Sequence, residues 1–132
     1  MHLEVSAALL FHKGKLLITQ RKRGTHLAGL WEFPGGKRES GETFEQCLQR
    51  ELREELGIET TVHELIEEIV HDYPERSVHL KFFRCELASG EPQPIHCDAL
   101  AWITRGELSA YEFPPADARL LEELARADHL WR

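Results

Sequence analysis

The sequence predicts an α/β (α+β) protein, mostly strands in a sheet whose faces are covered by two helices. Three observations predict it. Apolar, β-prone runs recur along the chain between turn signals. The stretch "FEQCLQRELREEL" repeats apolar residues at helical spacing between a start and a stop signal. The stretch "DARLLEELARADHLW" has the same amphipathic pattern near the end. At 132 residues the chain suits one domain, 1–132, able to bury a core without staples.

The elements follow in order. "LEVSAALLFH" is apolar and β-prone, and the "KG" after it reads as a turn. "KLLITQRK" is the returning strand of an N-terminal hairpin, and "RGTHLAGL" is a loop. "WEF" is a short extended piece stopped by Pro34, Gly35 and Gly36. Thr43 followed by Gln46 predicts a capping box, so a helix runs from about Phe44 to Leu56, closed by Gly57. "TTVHELIEEIVHDY" and "SVHLKFFRCEL" are two long strands around a turn at "PERS". "ASGEPQP" is a loop, "ALAWIT" a further strand, and "DARLLEELARADHLW" the second helix.

Composition narrows the function classes. No apolar run approaches the ~18 residues of a membrane span. The N-terminus lacks a basic region ahead of its apolar stretch, so it reads as a strand rather than a signal peptide. Cys47, Cys85 and Cys97 form no disulfide framework, which points to a reducing, cytoplasmic setting. None of the eight histidines has zinc-motif spacing, so no zinc site is expected. The net charge of −7 disfavours a nucleic-acid polymer as partner. Seven of the sixteen basic residues, but only two of the twenty-three acidic ones, fall in positions 1–38. An anionic small ligand could sit where that basic third meets the acidic remainder, with a divalent metal between. The alternative is merely uneven surface charge.

The first helix carries its acids in an unusual place. With Phe44 at zero and about 100° per residue, Leu48, Leu52 and Leu56 fall near 40°, 80° and 120°. Glu51 and Glu55 fall among them, at about −20° and +20°, with Glu54 at about −80°. Carboxylates one turn apart on an inward edge repel, and burying them is costly without a positive partner. Mg²⁺ would serve, since it takes a few carboxylates plus waters and substrate phosphates. The alternative is a solvated face laced with pairs such as Arg50–Glu54. Pro34-Gly35-Gly36 allows close backbone approach to a ligand or metal, but it is no phosphate-binding P-loop, since Lys37 is followed by Arg38. The loop would supply carbonyl oxygens and the helix carboxylates.

Gly36, then Glu42, then Arg50-Glu51-Leu52-Arg53-Glu54-Glu55-Leu56-Gly57-Ile58 resembles the Nudix box position for position. The flanking "LWEFPGGK", Tyr73-Pro74 with Arg76, Trp102 and "FPPAD" are similar to the MutT-type branch, including its cytidine-triphosphate-preferring members. The resemblance implies the Nudix fold, an α/β/α sandwich around a mixed sheet with the box as loop–helix–loop. It implies hydrolysis of a nucleoside triphosphate to monophosphate and pyrophosphate, with Mg²⁺ or Mn²⁺ as cofactor. The implied metal ligands are Glu51, Glu54, Glu55 and the carbonyl of Gly35, with one of the glutamates orienting or deprotonating water. Arg50 would hold the catalytic glutamates, and Glu42, Gly36 and Gly57 would shape the box. Arg21, His26 and Arg76 match nucleotide-contacting positions, and Glu32, Phe33 and Pro34 would line the nucleoside pocket.

The resemblance has one departure. Members often carry a glutamate six positions before the residue matching Trp102, where this chain has His96, with Asp98 two residues on. Either would have to substitute, or a box glutamate acts alone; an ordinary loop residue is the other reading of His96. Members specific for 8-oxoguanine place Asn where this chain has Asp117. An ionised Asp only accepts, which suits the amine of cytosine or adenine, while a protonated one could read an oxidised purine. Asp117 could instead cap the second helix. A sanitising triphosphate pyrophosphohydrolase is therefore the expectation. The alternatives are a dinucleoside polyphosphate or ADP-ribose hydrolase and a non-catalytic nucleotide sensor. A monomer or weak homodimer, away from membranes, is expected.

Overall fold

A computed structural model describes residues 2–132. The strands are β1 (His2–His12), β2 (Lys15–Gln20), β3 (Trp31–Glu32), β4 (Gly35–Lys37), β5 (Glu59–Asp72), β6 (Ser77–Ser89) and β7 (Ala99–Ile103). The α-helices are α1 (Phe44–Leu56) and α2 (Ala118–Arg126). Short 3₁₀ turns cover Arg105–Ala110, Pro115–Asp117 and Asp128–Trp131.

The strands form one mixed sheet. Its spine runs β3-β2-β1-β6-β5, with β4 on β1 and β7 on β2. β1 and β6 are parallel, and the other pairs are antiparallel. β1 divides one edge between two partners. Its C-terminal end pairs with β2 (Phe11↔Leu16), across a turn in which Lys13 and Gly14 both have positive φ. Its N-terminal half pairs with β4 (Val5↔Lys37, Ser6↔Gly36, Ala7↔Gly35). The sheet forks there, and the fork positions the functional cleft.

Alternation along β1 separates two cores. Ala7, Leu9 and Phe11 join Ile18, Phe33, Phe82, Leu120 and Leu124 on the α2 face. Ala8 and Leu10 join Leu17, Leu48, Leu52, Leu56 and Phe83 on the α1 face. The result is the sandwich that the box resemblance implies. Helix α1 has its expected bounds: Thr43 accepts from Gln46 N–H, Gln46 returns the bond, and Gly57 closes the helix at φ 70°. Leu52 is fully buried, and truncating it to Ala would cost about 2–5 kcal/mol.

Two expectations change. Gly35 and Gly36 do not stop an extended piece; they form β4. A Cβ on Gly35 would overlap the Ser6 carbonyl oxygen, and one on Gly36 would overlap the Glu51 carboxylate. What approaches these glycines is the chain's own β1 and its own glutamate. The second helix ends at Arg126 rather than Trp131; Asp128–Trp131 turns back as a 3₁₀ segment that buries Leu130 and Trp131. Among the described residues no helix is long and apolar enough to cross a membrane.

Candidate active site

The site begins with Arg50. Its guanidinium forks onto Glu42 (Nη2–Oε1 2.7 Å, Nε–Oε2 3.1 Å). Nη1 reaches Glu51 Oε1 (2.9 Å) and Glu54 Oε2 (3.1 Å), and Nη2 donates to the Lys37 carbonyl (3.0 Å). The Arg50–Glu54 pair of a solvated face is therefore present, but as one arm of a larger cluster. Glu42 also accepts the Glu39 N–H at 2.8 Å. Arg50 and that N–H hold the Glu42 carboxyl down at about 2. Arg38 completes the brace, donating to the Glu42 carbonyl (2.7 Å) and to Glu4 Oε1 (2.6 Å).

Glu55 has the opposite environment. Among the described residues, the ion pairs of Arg50 reach Glu39, Glu42, Glu51 and Glu54 but not Glu55. Burial, then the charges of Glu51 and Glu32, push the Glu55 carboxyl up to about 8, with only the Gly35 N–H opposing. Burial also raises Glu51, against Arg50. The β1–β4 register explains the Gly35 contact. Ala8 N–H donates to the Pro34 carbonyl and Arg38 N–H to the Glu4 carbonyl, so bonded pairs alternate through residue 36. The N–H and C=O of Gly35 therefore point away from β1, toward α1. Two half-buried carboxylates, a third exposed one and an unshared carbonyl converge where one guanidinium cannot neutralise them. That donor set of hard oxygens fits a divalent cation such as Mg²⁺.

From this cluster a cleft of about 420 Å³ runs along the fork of the sheet, lined by Ala7, Glu32, Phe33, Gly35, Glu55, Leu80, Phe82 and Asp117. Phe33 stacks on Phe113 (centroids 5.2 Å apart, 22° between planes) and meets Phe82 edge-on. Asp117, which lines the same cleft, is 8% exposed. Burial, then the charge of Glu32, pushes its carboxyl up to about 6. It stands at the N-cap position of α2, but its side chain makes no capping bond there. Arg21 donates to Glu32 Oε1 (2.8 Å) and to the His26 carbonyl (2.7 Å), yet burial still leaves Glu32 raised.

The NUDIX domain model matches residues 6–123. The chain belongs to the Nudix family. It is 42% identical over 120 residues to the CTP pyrophosphohydrolase of Escherichia coli (strain K12), covering 91% of this chain and 89% of the relative. It is 37% identical over 128 residues to an 8-oxo-dGTP diphosphatase of Haemophilus influenzae, covering 96% and 94%. The solution structure of the E. coli ORF135 protein superposes with TM-score 0.81 at 40% identity, covering 96% of this chain and 90% of that one. The chain is thus a Nudix hydrolase, a class that is generally dependent on divalent metal and acts on small nucleotides.

The Nudix box residues converge, but several flanking candidates do not. His26 contributes its carbonyl to Arg21 while its side chain is exposed. Arg76 sits exposed at the β5–β6 tip, its backbone paired with Tyr73; Tyr73, not Arg76, lines the cleft. Pro34 is buried and gives its carbonyl to β1. His96 is exposed, and Asp98 accepts the Arg23 N–H (3.1 Å). Sequence reading missed Leu80, Phe82 and Ala7 as cleft lining, although their alternation on β6 and β1 assigns them to one face. It also missed Cys97, which burial and the charges of Glu55 and Glu32 push up.

Proposed function

We propose that the chain is a metal-dependent nucleoside triphosphate pyrophosphohydrolase, converting an NTP or dNTP and water to the monophosphate and pyrophosphate. One observation carries the reading. A half-buried carboxylate that the ion pairs of Arg50 do not reach, Glu55, lines with Gly35 the same cleft as a buried acid, Asp117, suited to reading a base. Glu51, Glu54, Glu55 and the Gly35 carbonyl would hold Mg²⁺ or Mn²⁺. The metal would supply charge neutralisation at the phosphates and an activated water. Glu55, ionised once the metal is held, would be the candidate base for that water. Arg50 fixes Glu51 and Glu54 through its bonds, and Glu42 fixes Arg50. Arg21 would face the phosphates or sugar, held by its bond to the His26 carbonyl. Glu32, Phe33 and Pro34 form the wall against which the nucleoside lies.

Asp117 favours a cytosine-type base. Ionised above about pH 6, it accepts from an exocyclic amine. The relatives named for CTP and for 8-oxo-dGTP support this branch, and a sanitising role toward modified or oxidised nucleotides follows. Oxidised purine triphosphates are the second reading, because a protonated Asp117 also donates. Tyr73 at the cleft would matter more for a dinucleoside polyphosphate or ADP-ribose substrate. The free cysteines and the charge of −7 support a cytoplasmic protein without a nucleic-acid partner, acting as one domain over 1–132 and as a monomer or weak homodimer. The test is a nucleotide panel with Mg²⁺, products separated by ion exchange. Monophosphate and pyrophosphate are expected, fastest from a cytosine or modified-cytosine triphosphate. Diphosphate and orthophosphate as main products would refute the reaction.

A further inference from the structure

Sequence spacing gave no reason to expect a zinc site, but the parallel pairing of β1 and β6 brings together residues far apart in the chain. His2 lies opposite Ser77, and Glu4 lies opposite His79. One ligand atom each from His2, Glu4 and His79 fall within 4.8 Å of one another. We propose that His2, Glu4 and His79 form a second metal site, for a zinc-class divalent ion and chemically distinct from the carboxylate cluster of the cleft.

The ligand types argue for this class. Two imidazoles and a carboxylate are a familiar protein contribution to a four-coordinate zinc ion, with water in the last position. Imidazole selects for zinc-like ions over Mg²⁺, whereas the box offers only hard oxygens. Zinc ligands at about 2.0–2.2 Å stand about 3.3–3.6 Å apart, so a small closing movement of exposed side chains suffices.

The surroundings are those of an oriented ligand set. Glu68 from β5 holds Nε2 of His79, leaving the Nδ1 lone pair for an ion. A carboxylate on the far nitrogen of a ligating histidine fixes its tautomer and raises its basicity. Ser77 Oγ contacts Nδ1 of His2 at 3.0 Å, leaving Nε2. The Phe44 ring packs against His79 with centroids 5.5 Å apart, limiting how the imidazole can turn. Two cations oppose the ion. Arg38 holds Glu4 Oε1, and the Lys81 ammonium sits over Phe44, 4.2 Å from its centroid. Glu4 has a second oxygen to offer, and Arg38 keeps its bond to the Glu42 carbonyl when Glu4 turns. Glu4 and Glu68 balance Arg38 and Lys81, so the ion enters a locally neutral patch.

The test is calorimetric titration of the untagged full chain with Zn²⁺ in millimolar Mg²⁺, which occupies the carboxylate cluster. Wild type and Glu51→Gln should bind one Zn²⁺ with equal affinity, while His2→Gln and His79→Gln should each bind at least ~10-fold more weakly. Unchanged affinity in either histidine variant, or loss of the site in Glu51→Gln, would overturn the proposal. Imidazole ¹H–¹⁵N spectra of the wild-type chain give a reading that needs no variant. The His2 and His79 signals should move together and saturate at one equivalent; movement confined to the other histidines would equally overturn it.

Discussion

Glu42 and Glu55 belong to one motif and end in opposite electrostatic states. At the loop end, Glu42 meets a forked guanidinium and a backbone N–H and is held near 2. On the inward edge of α1, Glu55 meets buried surface and like charge, and rises to about 8. The loop end is a finished ion-pair network that needs nothing more. The helix edge is left short of positive charge, and that shortfall is what makes it the proposed metal site. A cluster of glutamates is therefore informative less by its number than by which member the available arginine fails to reach.

The strongest way to break this comparison is Glu55→Gln. Turnover should fall at least ~10²-fold with the fold intact, as expected for a lost metal ligand or base. Near-normal kcat at saturating Mg²⁺ would remove Glu55 from the chemistry. Next comes Asp117→Asn, in the same cleft. It should shift kcat/KM from cytosine toward 8-oxoguanine triphosphate by ~10-fold, about one hydrogen bond at a base edge. In the wild type the same preference for cytosine should weaken below about pH 6, as Asp117 takes a proton, and the Asn variant should lack that change.

A smaller effect separates the two glutamates by pH. Glu55 has a higher pKa folded than unfolded. Its contribution therefore favours folding at low pH and is lost as pH climbs from 4.5 through about 8. Glu42 has a lower one, so its contribution is present above 4.5 and lost as pH falls toward about 2. The metal-free protein should then melt at a higher temperature as Glu55→Gln than as wild type at pH 8, and the gap should close at pH 4.5. Scanning calorimetry checks this. Mg²⁺ should raise the wild-type Tm more at pH 8 than at pH 6, since binding must release the Glu55 proton. A Tm shift independent of pH would place the ion elsewhere.

What the sequence made legible follows the same division. The bounds of α1, its capping box and its inward carboxylates were readable because each depends on residues within one or two turns. β4 was not, because the need for glycine at 35 and 36 is set by Ser6 and by the Glu51 carboxylate, both distant in sequence. The cleft lining was readable only in fragments. Phe33, Leu80 and Asp117 come from separate parts of the chain, and nothing local tells them that they share a cleft. The fate of Asp117 turned on tertiary burial rather than on its position before a helix, where propensity favours a cap.

The C-terminal end of α1 carries a consequence for how such enzymes diversify. Its last carbonyls are taken by the segment before β7: Gln93 N–H bonds to the Leu56 carbonyl (2.9 Å) and Ile95 N–H to the Glu55 carbonyl (3.2 Å). A connecting loop of this kind ordinarily absorbs insertions and deletions freely. Here it is stitched to the backbone of the proposed catalytic glutamate, so its length is a setting of the active centre. Residues gained or lost between Gln93 and Asp98 would have to preserve both bonds or leave these two carbonyls without their partners, without touching a single box residue.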